Sequence, residues 1–255
     1  MEYKFIRTET RDHRFDILIN NPPMNILTGA VMQEIIQVLE AIKEDKQYRA
    51  VVFSGEGKAW SAGADVSEHL PGSFDQMLKV FGKLCELVRS FPIPTFAAVN
   101  GLCLGGGCEL AAMCDFIIAS EKAKFGQPEI KVGVFPPVAL AHFAWKYGYC
   151  NAMEIILTGD VFDASRSEEL GLVNHLVPVE NFNENVDKFV SRFTSNSGAV
   201  LRSSKKAGLL SLAHTPLESA EFINEIYSKE LMSTSDSVEG LNAFLERRKP
   251  EWKDK

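Results

Sequence analysis

The amino-acid sequence predicts an α/β fold whose loops gather at one sheet edge, followed by a helical C-terminal region. Three observations predict it. Short apolar runs of buried-strand type alternate with stretches of helical apolar spacing through the first two thirds of the 255 residues. Glycine-rich loops follow those runs, and past residue 180 almost only helical spacing remains.

In chain order, residues 15–19 and 50–53 read as short buried strands, and between them Val31, Ile35, Val38, Leu39 and Ile42 recur at helical spacing. The NNPPMN segment, 20–25, must be a loop because paired prolines cannot continue a ladder. Residues 54–72 read as a glycine-rich loop too small in side chain to be a core element. Met77, Val80, Phe81, Leu84, Leu87 and Val88 predict a second helix, ended by Pro92 and Pro94. Strands are expected at 95–99, 116–119 and 172–177. Helices are expected over 182–193, 200–212, 217–231 and 238–248. The composition shift near 180 to 200 divides the chain into an α/β core, 1–195, and a C-terminal helical region, 196–255.

A hydrophobic fraction of 45% and a charged fraction of 24% are those of an ordinary soluble globular protein. The net charge of −7 argues against a nucleic-acid surface, and the helix at 31–44 is too poor in lysine to offer a basic face. The five cysteines, Cys85, Cys103, Cys108, Cys114 and Cys150, show no C-x-x-C spacing, so buried reduced thiols in a cytoplasmic protein are expected. The first residues are too polar for a signal peptide. The most apolar window, 96–119, carries Glu109 and Asp115, which makes it core rather than membrane. His13, His175 and His214 lack metal-ligand spacing, Ser61 lacks a G-x-S-x-G context, and GLCLGGG is not a dinucleotide fingerprint, so no metal or redox cofactor is expected.

Chemistry concentrates at 97–115, AAVNGLCLGGGCELAAMCD, where an apolar run enters three glycines and leaves as a short helix carrying Glu109. Glycines let backbone approach a ligand, and free N–H groups at the helix start can face negative charge. A tight strand-to-helix turn accounts for the glycines equally well. A second acidic landmark is FGQPEI, 125–130, with Glu129 right after a proline. Both glutamates are flanked by apolar residues, a setting in which carboxylates can be tuned for proton transfer to or from one water. A helix cap or a buried ion pair is the alternative for either one alone.

Taken together, SAGAD at 61–65, NGLCLGGGCELAAMCD at 100–115, FGQPEI at 125–130, LTGD at 157–160, GLV at 171–173 and the closing AFLERRKPEW resemble the enoyl-CoA hydratases of the crotonase superfamily, over essentially the whole chain. The resemblance implies a spiral of strand–strand–helix turns with a C-terminal helical region that builds homotrimers or dimers of trimers. It implies an acyl-CoA thioester substrate, coenzyme A being part of the substrate and not a separate cofactor. By motif position, the backbone N–H groups of Ala64 and Gly106 would form the oxyanion hole, and Glu109 and Glu129 would hold the water and move the protons. Met24, Ala62 and Asp65 match positions near the nucleotide end of the thioester, and Phe244 and Arg247 match positions that contact the coenzyme, the arginine from a neighbouring subunit. Both glutamates favour hydration over the superfamily's isomerases; isomerase and thioester hydrolase remain alternatives on the same scaffold, and an RNA-binding role, known in some members, is the alternative from another class.

One stretch departs from the straight-chain pattern. Where those hydratases carry PGAGGTQRL-like residues, this chain reads FPPVALAHF at 135–143. Two prolines and bulky apolar residues there predict a stiffer, differently shaped acyl wall involving Phe135, Pro137 and Val138, with His69 in the loop on the pocket side. His142 on the same wall reads as a packing residue. GVFPPVA, VSEHLP at 66–71 and ELMSTSDSVEGLNAFLE resemble the cyclohexa-1,5-diene-1-carbonyl-CoA hydratases of anaerobic aromatic degradation, which implies a flat cyclic dienoyl thioester. A linear enoyl-CoA of fatty-acid breakdown is the alternative substrate.

Overall fold

The computed structural model describes residues 3–255. It opens with an antiparallel hairpin, β1 (Ile6–Arg11) and β2 (Arg14–Ile19), followed by α1 (Gly29–Ile42). Strand β1 was not legible because only Ile6 of IRTETR is buried, so no alternation marks it. Helix α1 starts at Thr28, whose side chain accepts from the Val31 N–H, and buries the face predicted from its spacing.

Three similar turns of chain follow. The first is β3 (Ala50–Gly55), β4 (Ala59–Ser61) and α2 (Phe74–Arg89). The second is β5 (Thr95–Val99), β6 (Leu102–Leu104) and α3 (Gly106–Met113). The third is β7 (Phe116–Ser120), β8 (Lys124–Gly126) and a 3₁₀ turn, Pro128–Val132, leading to α4 (Pro137–Tyr147) and α5 (Tyr149–Thr158). Then come β9 (Val161–Asp163), α6 (Ala164–Glu169) and β10 (His175–Val177). The long strands make a six-stranded sheet, β1-β2-β3-β5-β7-β10, parallel beyond the hairpin. The short strands make a second sheet, β4-β6-β8-β9, with β8 and β9 antiparallel.

Each turn changes sheet at a tight corner. A Cβ on Gly101 would lie 2.0 Å from the Lys58 carbonyl oxygen, so successive corners stack backbone on backbone and only glycine fits. The small sheet corrects one expectation: residues 54–72 are not a side-chain-poor loop. They contain β4, and Trp60 within it is fully buried, its indole N–H donating to the Phe53 carbonyl at 3.3 Å.

The main core lies where the two sheets face α1, α2 and α3, with Phe53, Trp60, Phe91 and Phe125 fully buried. A second cluster covers the other face of the large sheet, where Phe96 and Phe116 meet Phe189 and Phe193 of α7 (Phe182–Thr194). The chain ends in α8 (Gly198–Ser211), α9 (Pro216–Glu225) and α10 (Ser235–Leu245). The predicted helix over 217–231 is interrupted by a π turn at Ile226–Glu230, and 172–174 form a turn ahead of β10 rather than strand. Helix α10 ends before Arg247, which has φ 56°. Lys205 of α8 pairs with Asp115 at 2.5 Å, and Arg49 pairs with Asp254 at 2.8 Å, tying the helical region and the tail to the core. Four cysteines are buried as expected, whereas Cys150 is exposed at the start of α5. No helix among the described residues is long and apolar enough to cross a membrane.

Candidate active site

The three turns deliver their chemistry to one place, just past the carboxyl ends of β4, β6 and β8 in the small sheet. Ala64 follows β4, Gly105 and Gly106 follow β6, and Glu129 follows β8. Their proximity is written in the glycines. A Cβ on Gly106 would lie 3.2 Å from the Ala64 nitrogen, and one on Gly63 would lie 3.1 Å from the Leu104 carbonyl oxygen. A Cβ on Gly105 would lie 2.7 Å from Glu129 Oε1. The Ala64 and Gly106 N–H groups find no acceptor among the described residues, the second because it is the first residue of α3. Two unpaired donors from separate loops, side by side, are chemically able to receive negative charge on a ligand oxygen.

Glu109 lies on the first turn of α3 and is 3% exposed. Its Oε1 accepts from the Ala139 N–H at 2.8 Å, and the Val138 N–H also faces the carboxyl. The reason is local: Pro136 and Pro137 open α4 without N–H groups, so the donors left at its start are those of Val138 and Ala139. Burial nevertheless dominates and, with the nearby charge of Glu129, holds Glu109 up at about 8. Glu129 is raised as well, chiefly by burial, with its own backbone N–H and the charge of His69 acting in the opposite direction. The fully buried Gln127 turns its amide nitrogen to Glu129 and donates to Oε1 and Oε2 at 3.2 and 3.1 Å, since the other orientation sets oxygen against oxygen. The pair therefore keeps a proton into the neutral range, a property of the two carboxyls together.

This arrangement has a stability consequence. The folded state keeps a proton on Glu109 that the unfolded chain releases in the ordinary carboxylate range, so stability falls as pH rises from there through about 8. Glu109→Gln is expected to melt above the wild type at pH 8, by an amount on the order of a few kcal/mol, and close to it at about pH 5. Thermal denaturation at the two pH values checks this, and an equal difference at both would contradict it.

Of the other expected contacts, the Met24 carbonyl accepts from the Ala62 N–H at 2.9 Å, which stitches residues 24–27 to the oxyanion loop. Asp65 caps the 3₁₀ turn Val66–His69, its Oδ1 accepting from the Ser67 N–H and hydroxyl. His69 is half-buried at the end of that turn. Phe135 is 66% exposed and Pro137 is exposed, whereas Val138 is half-buried. Phe135 lies on the segment between Glu129 and α4, and Pro137 and Val138 open α4, the second with its N–H toward Glu109. Phe244 is 83% exposed at the end of α10, and Arg247 is exposed just beyond it; within one chain neither is brought to the glutamates. The motifs did not point to Gln127, whose only signal is its place two residues before Glu129, or to the Ala139 N–H, for which the proline pair at 136–137 was the available sign. A separate cleft of about 640 Å³, between β1–β3 and α7, carries none of these residues.

The sequence pattern of the family "Enoyl-CoA hydratase/isomerase" fits residues 14–255. The chain belongs to that family. It is 38% identical over 256 residues to a Rhizobium meliloti protein named "Probable enoyl-CoA hydratase", covering 99% of each chain. It is 33% identical over 236 residues to the cyclohexa-1,5-dienecarbonyl-CoA hydratase of Thauera aromatica, covering 92% of this chain and 90% of that one. The crystal structure of an enoyl-CoA hydratase from Bacillus anthracis superposes with a TM-score of 0.94 at 30% identity, covering 99% of this chain and all of that one. The fold is thus the crotonase fold, and its two-sheet turns are the strand–strand–helix spiral expected from the motifs. The chain is an enzyme of the hydro-lyase kind for which these relatives are named.

Proposed function

We propose that this enzyme adds water across the conjugated double bond of an acyl-CoA thioester. The observation that carries the reading is a glutamate pair, Glu109 buried and Glu129 half-buried, that keeps one proton into the neutral range next to two unpaired N–H groups on separate loops. Hydration needs that stoichiometry. As water's oxygen bonds to the β-carbon, the ionised carboxylate takes its proton and the π electrons move onto the thioester oxygen, where Ala64 and Gly106 N–H groups receive the charge. The protonated carboxyl then gives its proton to the α-carbon as the enolate collapses, and the pair again holds one proton. Each oxyanion donor can contribute roughly 3 kcal/mol to the barrier. Coenzyme A enters and leaves as part of the substrate.

For the acyl group, the narrower reading is a cyclic dienoyl thioester from aromatic degradation. The proline-stiffened segment carrying Phe135, Pro137 and Val138 supports it, as does the similarity to the Thauera aromatica enzyme; the generic reading, an enoyl-CoA hydratase with a linear enoyl-CoA as the alternative substrate, has the better support, since more of the relatives are named simply enoyl-CoA hydratase. Large apolar side chains left exposed on the C-terminal helices, among them Leu217, Tyr227, Phe244 and Leu245, support assembly into homotrimers or dimers of trimers. In such an assembly Arg247 would reach a neighbour's coenzyme, and Phe244 would be a further coenzyme contact. Buried thiols support a cytoplasmic location.

The test supplies crotonyl-CoA and cyclohexa-1,5-diene-1-carbonyl-CoA to the purified protein and weighs the products. Hydration gains one water with no free thiol; an unchanged mass would mean isomerisation, and thiol release would mean thioester hydrolysis. Either of those results as the main activity overturns the reading, and faster turnover of the linear thioester overturns the cyclic assignment.

A further inference from the structure

Helix α4 is thinly seated for an element that supplies donors to Glu109. Only Ala139 and Phe143 within it are buried, while Phe135 and Pro137 at its opening are exposed. Its first turn reaches α3 through the Ala139 N–H, which donates to Glu109 Oε1 at 2.8 Å. Its last turn reaches α3 through Lys146, whose Nζ donates to the Ala112 carbonyl and, at 2.9 Å, to the Cys114 carbonyl. Ala112 and Cys114 stand at the carboxyl end of α3, where carbonyls lack a partner within the helix and a cation is favoured. Positions 139, 143 and 146 fall at i, i+4 and i+7, so the two contacts and the buried phenyl ring share one face of α4. That face is fastened to both ends of α3, the helix whose first turn carries Glu109.

From this geometry we propose that Lys146 is a positioning residue of the reaction: its ammonium clasps the end of α3 and thereby holds α4 where the Val138 and Ala139 N–H groups meet Glu109. Neighbouring Asp115 does not compete for the ammonium, being committed to the Thr95 N–H and hydroxyl and to Lys205. The prolines at 136 and 137 make the clasp necessary. They bring no N–H of their own, so a shift of α4 carries both remaining donors off the carboxyl together. The proposed oxyanion donors are spared, since Ala64 lies on another loop and Gly106 is at the opposite end of α3 from the clasp. Lys146 thus acts on a carboxyl of the proton cycle and not on the thioester carbonyl. This proposal rests on the hydratase reading.

The test is kcat, KM and thermal melting for the wild type, Lys146→Met, Lys146→Gln and Lys146→Arg, each with the thioester that the wild type hydrates faster. Methionine keeps an unbranched stem and removes every donor; because Lys146 is exposed, the change opens no hole in the core. Glutamine is neutral and too short to span both carbonyls, and arginine restores a cation with several donors. For Lys146→Met and Lys146→Gln, kcat is expected to fall about 10-fold with KM within about 2-fold of the wild type. Lys146→Arg is expected to regain most of the loss. An unchanged kcat, a KM that rises as far as kcat falls, no rescue by arginine, or failure of both neutral variants to fold overturns the role of Lys146. A wild type that hydrates neither crotonyl-CoA nor the cyclic dienoyl thioester would instead overturn the underlying reading, so the two failures are distinct.

Discussion

Glu129→Gln is expected to lower kcat by about 10³-fold or more while leaving thioester binding near that of the wild type, and Glu109→Gln is expected to do the same. The magnitude follows from how little else in the site can move a proton. Glutamine keeps the shape and one acceptor oxygen, so Gln127 retains a partner at position 129 and the Ala139 N–H retains one at position 109. What is lost is the proton cycle. Either change removes one of the two carboxyls that the proposed cycle needs, one to take a proton from water and one to deliver a proton to carbon. The proposed oxyanion donors belong to the backbone of Ala64 and Gly106, so binding of the thioester carbonyl is expected to survive either change. Steady-state rates together with a direct binding measurement, by fluorescence or calorimetry with a non-reacting saturated acyl-CoA, separate the two effects. Near-normal turnover in either variant would remove the paired-carboxylate mechanism. Glu109→Gln should also be the more heat-stable protein at pH 8, because the buried group that costs stability is the same one proposed to move a proton.

The parts of this molecule that were legible in the sequence are those with a long period or a dense motif. Helix α1 announces itself through Val31, Ile35, Val38, Leu39 and Ile42, and β5 and β7 through unbroken apolar runs. The glutamates and glycine loops were legible through motifs alone. The small sheet was not, although it is the element that organises the site. Its strands β4, β6, β8 and β9 have three residues each, less than two periods of alternation, so neither period nor propensity can register them. Trp60 was the available clue: a fully buried indole needs a layered core around it. The partners of the carboxyls were hidden for another reason. Gln127 and the Ala139 N–H matter only through where β8 and α4 place them, and that placement is set by contacts far apart in sequence.

Gly105→Ala is expected to cost at least about 10² in kcat and about 1–3 kcal/mol in stability, although it adds only one methyl group. Gly105 sits at φ 51° and ψ −131°, a conformation that L side chains rarely adopt. Its N–H donates to the Gly126 carbonyl at 2.9 Å, and its carbonyl accepts from the Glu109 N–H at 2.9 Å. One residue thus joins β6 to β8 and begins the helix that carries Glu109. A Cβ there would stand 2.7 Å from Glu129 Oε1 and 3.9 Å from the Gly63 Cα. Relief by backbone rotation turns the Gly106 N–H away from the Ala64 N–H; relief by carboxylate movement breaks the bonds from Gln127. Either response damages catalysis, because the same close approach builds the oxyanion site and seats Glu129. Gly82→Ala in α2 is the control, since a Cβ there meets nothing within 4 Å and a helix interior favours alanine by about 1 kcal/mol. Chemical denaturation and kcat on both variants decide the matter: a Gly105→Ala enzyme with wild-type turnover would show that the glycine serves the turn alone and that the two loops do not need this contact to act together.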